Sequence, residues 1–280
     1  MVQIQDNVTA AQQKENPQKA QDEAIAASLA KIKQKLIVMS GKGGVGKTSV
    51  SVNLSLALAK KGFKVGLMDV DIHGPDVPRV LGLEGTLELG PDQKLTPLRH
   101  SDNLSAVSIE ALTPGKDDAI IWRGPLKFSA IRQFISHVAW GDLDYLIIDA
   151  PPGTGDEPLT VAQTITDAKA IIVTTPQEIA LADVRKSINF CRQVKMEIRG
   201  LVENMSGYQC PHCGETIDLF GQGGGARTAK EMNVPFLGAI PIDPNVVRLS
   251  DVGKSILDQD PDAPVSRAFY AVADQLATDG

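Results

Sequence analysis

Short apolar runs alternate with stretches of helical periodicity along most of the chain. Residues 36–39, 64–70, 104–109, 143–149, 168–174, 198–203 and 235–240 read as strands. Those at 36–39, 143–148 and 168–174 are nearly continuous runs of Ile, Leu, Val and Ala. Residues 48–60, 126–139, 179–195, 226–232 and 265–276 carry helical spacing, with Phe128, Ile131, Ile135 and Val138 marking one such face. Continuous apolar strands separated by helices are what a parallel sheet covered on both faces requires. The expected fold is therefore α/β, a mostly parallel central sheet flanked by helices. Between residues 82 and 118 the pattern weakens into Gly, Pro and Asp, consistent with a connection holding one more strand and a possible hairpin.

Residues 1–34 differ from the rest. They are rich in Gln, Ala, Lys and Glu, and 21–34 fit an amphipathic helix with Ile25, Leu29 and Ile32 on one face. They read as an N-terminal extension, either flexible or a loosely docked helix, ahead of one domain over 35–280. No internal repeat is evident.

Composition narrows the function. The 280 residues carry a net charge of -6 without a basic tract, which argues against an electrostatic grip on nucleic acid or an anionic membrane. No run approaches the ~18 apolar residues of a membrane span, and the polar N-terminus lacks a secretory core. A cytoplasmic protein is expected. The three cysteines, Cys191, Cys210 and Cys213, are too few for a disulfide framework. Cys191 falls in a helical stretch and reads as a core thiol.

Candidate chemistry begins at Ser40. Gly41, Lys42, Gly43, Gly44, Val45, Gly46, Lys47 and Thr48, followed by Ser49, match GxxxxGK with a terminal Thr and lie between a strand and a helix. Backbone N–H groups bared by such glycines converge on phosphate oxygens at a helix N-terminus. Lys47 reaches the β- and γ-phosphates in this motif, and the Thr48 hydroxyl sits on Mg²⁺. Two further strands end in carboxylates, delivering Asp69 and Asp71 from one and Asp149 from the other. In a parallel sheet these ends face the ligand. Asp71 is the catalytic candidate, and Asp149 has the position of a Walker B ligand for Mg²⁺. Asp69 and Asp76 remain open between catalysis and helix capping. The loop 150–156, Ala-Pro-Pro-Gly-Thr-Gly-Asp, reads as a nucleotide-sensing switch. Arg123 is a candidate contact for a phosphate or partner, with plain solvation the competing reading.

Farther along, Asn204 ends a strand where its amide could bond an adenine edge, with turn chemistry as the alternative. Pro241 and Asp243 follow the last strand and are placed to border the base. The glycine cluster at 221–225 lacks a following Lys-Thr and reads as a loop before a helix. Cys210-Pro211-His212-Cys213-Gly214, within an insertion near 205–225, supplies half of a tetrahedral zinc or iron-sulfur site, or else a redox dithiol. The chain has no second pair, so a symmetric dimer is the economical completion of a metal site.

With these residues in view, the sequence resembles the Mrp/ApbC family of iron-sulfur cluster carrier ATPases, from about residue 35 to 277. These are deviant Walker A P-loop NTPases related to MinD and ParA. The resemblance is carried by KGGVGKT at 42–48, DVDIHGPD at 69–76, DAPPGTGD at 149–156, and VENMS followed by CPHCG. It implies a homodimeric, slowly hydrolysing ATPase using ATP and Mg²⁺, with Thr48, Asp71 and Asp149 at the metal. Lys42 would reach the nucleotide of the opposite subunit, and Asp71 would position the attacking water. Asn204, Pro241 and Asp243 would surround the adenine. Cys210 and Cys213 of two subunits would share a 4Fe-4S cluster received from cluster donors and passed to apo iron-sulfur proteins. Residues 1–34 contain no cysteine, where some relatives hold another cluster. Two rival readings remain, a MinD/ParA-type positioning ATPase and an ATPase with structural zinc at the cysteine pair.

Overall fold

Alternation within the strands assigns the two faces of the sheet. In strand β1 (Ile32–Ser40), Leu36 and Val38 belong to one buried cluster while Ile37 and Met39 belong to another. β5 (Leu143–Asp149) and β6 (Lys169–Thr174) alternate likewise, sending Ile147 and Ile171 one way, Ile148 and Ile172 the other. Burial on both faces is why the runs look continuous in sequence. The computed structural model describes residues 17–71, 74–85, 87–90, 93–112, 124–210 and 212–278. Arg123 lies outside them.

The remaining elements follow in chain order around these strands. Helix α1 (Pro17–Leu29) precedes β1, and α2 (Lys47–Lys60), β2 (Val65–Asp69) and the short α3 (Val77–Val80) follow it. β3 (Leu98–Ser101) and β4 (Leu104–Ser108) form the hairpin expected in the connecting region. Then come α4 (Gly124–Ser136), β5, α5 (Asp156–Thr164), β6, α6 (Glu178–Gln193) and β7 (Ile198–Glu203). A small hairpin, β8 (Tyr208–Gln209) and β9 (Thr216–Ile217), interrupts the pattern. α7 (Gly224–Glu231), β10 (Phe236–Ala239), α8 (Pro244–Ser250), α9 (Ile256–Gln259) and α10 (Pro264–Thr278) close the chain.

Eight strands form the main sheet in the order β10-β7-β6-β1-β5-β2-β4-β3. All of its pairs are parallel except β3 with β4. β1 is central, and the neighbours on its two sides, β5 and β6, come later in the chain. The order reverses direction beside β1, so the loop leaving it opens into the crevice that binds ligands in sheets of this kind.

The N-terminal helix differs from its expected extent. It ends at Leu29, and Ile32, expected on its apolar face, is instead the first residue of β1, buried and paired with Leu143. Pairing with β5 draws Ile32 into the sheet, and the buried Lys35 keeps its charge satisfied through Asp167 at 2.7 Å. Ile25 and Leu29 are buried in the cluster that also holds Ile131, Phe134 and Ile135 of α4. Ser28 Oγ donates to the Val138 carbonyl at 2.7 Å, and Arg132 pairs with Asp22.

Candidate functional site

β1 delivers the chain to Ser40, and Gly46 caps α2 in the left-handed region at φ 79°, which glycine adopts without strain. The loop between them therefore ends on the N–H groups of a helix start, where anions are favoured. Gly43 and Gly44 are exposed, with no atom within 4 Å of where a Cβ would stand. Ser40 Oγ donates to the Lys42 carbonyl at 2.9 Å, and the N–H of Gly153 donates to the Ser40 carbonyl at 2.8 Å. The switch-like loop 150–156 is thus tied to the start of the phosphate loop. Lys42 is half-buried and has no ion-pair partner among the described residues.

At the floor of the loop lies Asp149, fully buried at the end of β5. Lys47 Nζ lies 2.8 Å from its Oδ1, Ser51 Oγ donates to the same oxygen at 2.7 Å, and Thr48 Oγ1 donates to Oδ2 at 2.7 Å. Asp71 Oδ2 is 3.7 Å from the same ammonium. Sequence reading missed Ser51, although its place one helical turn after Lys47 puts both on one face of α2. The Thr48 hydroxyl and the Asp149 carboxylate are hard oxygen donors at a phosphate loop, a donor set that fits Mg²⁺.

Asp69 sits directly opposite Asp149 in the parallel register of β2 and β5. It accepts from the Asp71 N–H at 3.1 Å, from the Val77 N–H at 3.3 Å and from Ser108 Oγ at 3.2 Å. These bonds fix the turn carrying Asp71 and the start of α3. Asp69 is therefore a scaffold for the catalytic candidate. Burial first, and the neighbouring charge of Asp149 second, hold its pKa well above the usual carboxylate range.

Asn204 follows β7. Its Nδ2 donates to the Val45 carbonyl at 2.9 Å, bracing the phosphate loop, and its N–H donates to the Thr174 carbonyl at 2.7 Å. A Cβ on Gly46 would run into this amide, so the two residues need each other's size. Pro241 and Asp243 lie on the loop after β10, where Asp243 Oδ1 caps α8 by accepting from the Asn245 N–H at 2.8 Å. They line a cavity of about 580 Å³ whose walls also include Tyr208, Cys210, Asn245 and Arg248.

The cysteine pair occupies the tip of the β8–β9 hairpin. The Cys210 N–H donates to the Glu215 carbonyl at 2.8 Å, and the Gly214 N–H returns to the Cys210 carbonyl at 2.9 Å. Gly214 takes φ 74°, closing the turn. The N–H groups of Cys213 and then His212, with the Cys213 thiol, face the Cys210 sulfur. They lower the Cys210 pKa by favouring the thiolate. Cys210 is half-buried and Cys213 exposed. No group of three or more metal-capable side chains occurs among the described residues, so one chain offers a pair of thiols rather than a complete tetrahedral set. Cys191, by contrast, is fully buried, and burial pushes its pKa up to about 12. It is the core thiol expected from its helix.

Comparisons with known proteins match most of the chain. The family model of the NUBPL iron-transfer P-loop NTPases (ParA) matches residues 31–277. An iron-sulfur cluster carrier protein of Methanocaldococcus jannaschii is 50% identical over 83% of this chain and 81% of its own length. A cytosolic Fe-S cluster assembly factor of Drosophila yakuba, Nubp2 homolog 1, is 49% identical over 89% of this chain and 98% of its own. The solved nucleotide-binding protein of Archaeoglobus fulgidus, in complex with ADP and with cobalt found, is similar at TM-score 0.75 and 42% identity. That match spans 86% of this chain and 94% of the other. No helix among the described residues is long and apolar enough to cross a membrane.

Proposed function

The chain belongs to the NUBPL iron-transfer P-loop NTPases, and from that premise we propose an ATP-driven carrier of 4Fe-4S clusters. It acts in the cytoplasm as a homodimer, receives a cluster from donor proteins and gives it to apo-proteins. The cluster is its cargo, held between Cys210 and Cys213 of two subunits. One observation carries the reading: Cys210 and Cys213 stand as free thiols, one half-buried and one exposed, on the turn of a hairpin that the Cys210–Glu215 and Gly214–Cys210 main-chain bonds close, a pair presented for a shared metal centre.

The nucleotide site divides its labour among named groups. The loop from Gly41 to Ser49 binds the phosphates through main-chain N–H groups, and Lys47 neutralises charge building on the transferred group. Thr48 and Asp149 would hold Mg²⁺ with Asp71 beside them, and the ion would supply further neutralisation of the phosphate oxygens. Asp71 orients the attacking water, while Lys42 reaches the nucleotide of the opposite subunit. Asn204, Pro241 and Asp243 border the base. Contacts from both subunits to one nucleotide favour one dimer arrangement, and hydrolysis removes them.

Anaerobic reconstitution with iron and sulfide tests the cargo. The expected result is thiolate-to-iron absorption with four irons per dimer, as the cluster formula requires, lost in Cys210→Ser and in Cys213→Ser but kept in Cys191→Ser. Stoichiometric zinc without iron in anaerobically purified protein would favour a structural staple instead.

A further inference from the structure

Glu203 is a carboxylate at the end of β7 with no solvent exposure, and nothing in the nucleotide chemistry uses it. Its oxygens collect three donors. Ser206 Oγ donates to Oε1 at 2.5 Å, the Gly223 N–H donates to the same oxygen at 2.8 Å, and the Gly225 N–H donates to Oε2. The cysteine hairpin lies between these donors in the chain, so one buried carboxylate ties the strand entering the hairpin to the segment leaving it. The same convergence recurs beside it, where a Cβ on Gly207 would approach Gln222 Nε2 to 2.7 Å. The glycine cluster at 221–225 thereby acquires a reason. Its N–H groups, at the start of α7, are aimed at an internal anion rather than at a phosphate.

Asn204 is the next residue, and its amide holds the Val45 carbonyl of the phosphate loop. Between Asn204 and Ser206, Met205 is in the left-handed region at φ 58°, a conformation that L side chains adopt only under constraint. Bonds on both sides of Met205 hold that turn. Val45 is thereby connected through the consecutive residues Asn204 and Glu203 to both ends of the hairpin.

We propose that Glu203 is a positioning residue that makes the orientation of the Cys210–Cys213 turn depend on the phosphate loop. The proposal rests on reading that loop as a nucleotide site and the turn as the cargo site.

The test uses reduced, cluster-free protein and the rate at which Cys210 and Cys213 react with a chromogenic aryl disulfide, with and without ATP and Mg²⁺. In the wild type, ATP should change that rate about fivefold or more, the lower range of coupling between sites. Glu203→Gln keeps the shape but turns one oxygen into an NH₂ group facing donors, so either amide orientation leaves an N–H unmet. It should bind ATP and dimerise as the wild type does yet react at one rate with or without ATP. Buried Cys191 serves as the folding control, since a third fast-reacting thiol would reveal unfolding. Should Glu203→Gln unfold, Ser206→Ala removes a single donor and should reduce the ATP effect. A wild type indifferent to ATP would overturn the proposal. So would an ATP effect undiminished in a folded Glu203→Gln, or in Ser206→Ala where that variant stands in, and so would loss of ATP binding in both variants. Failure of the cargo reading would appear separately, as absent iron absorption after reconstitution.

Discussion

Lys47 Nζ lies 2.8 Å from Asp149 Oδ1, joining the first residue of α2 to the last residue of β5. Both side chains are removed from water, Asp149 completely. Lys47→Ala should therefore have two separable effects. Turnover of ATP should fall by about 10²–10³, the usual result of removing one preorganised donor from a developing charge. Stability should fall by about 3–5 kcal/mol, because a buried carboxylate loses its counter-charge. In the double variant Lys47→Ala, Asp149→Asn, the second change removes the stranded charge. Denaturation midpoints should recover in part while ATPase assays remain at background.

Asp71 is in the same constellation but at its edge, 3.7 Å from the ammonium and on the turn that Asp69 organises. A residue orienting water matters to the chemical step more than to nucleotide affinity. Asp71→Ala should slow turnover by about 10²–10⁴ and leave the dissociation constant for ATP within a few-fold. Single-turnover hydrolysis alongside calorimetric binding separates the two, and an equal loss in both would make Asp71 a binding residue.

The sheet and the phosphate loop were legible because both rest on local pattern. Continuous apolar strands ending in Asp69 and Asp149, and a glycine loop ending in Lys47-Thr48, need no knowledge of distant contacts. What stayed hidden were relations between elements. Ser51 looks like any helical serine until β5 places Asp149 at 2.7 Å. Glu203 looks like a strand-end carboxylate until the glycine cluster some twenty residues later folds back on it. Ile32 has helical spacing from Ile25 and Leu29, yet pairing with Leu143 assigns it to the sheet. In each case a tertiary partner overrides or completes the local signal.

Helix α1 is joined to the domain by apolar packing rather than by charge. Leu29 is only 6% exposed, whereas Asp22, the partner of Arg132, keeps 60% of its side chain in solvent. Leu29→Ala should lower stability by about 2–5 kcal/mol, and Asp22→Ala by less, about 1–3 kcal/mol, because the Arg132 side chain it pairs with is only 10% exposed. Neither touches the nucleotide loop, so ATP turnover per folded molecule should match the wild type. Urea denaturation of the two variants decides this. Equal, small losses would mean that α1 adds little to the fold.

Asp69 gives the fold a pH dependence of definite sign. Its folded-state pKa is raised, by burial and then by Asp149, well above that of an aspartate in the unfolded chain. The folded protein therefore binds more protons than the unfolded chain between those two values, and stability must fall as pH climbs through that interval. The contribution is whole below the ordinary carboxylate range and declines until the folded-state pKa is passed. Asp69→Asn removes the titration while keeping one carbonyl oxygen for the donors Asp71, Val77 and Ser108. The lost acceptor should cost about 1–3 kcal/mol at every pH. Relative to the wild type, the variant should therefore gain stability as pH rises above the ordinary carboxylate range, by about 1.4 kcal/mol for each pH unit over which Asp69 stays protonated. Denaturation midpoints measured over that rise in pH provide the check. Parallel curves for the two proteins would mean that Asp69 is ionised throughout, with the Lys47 ammonium and its hydrogen bonds outweighing burial.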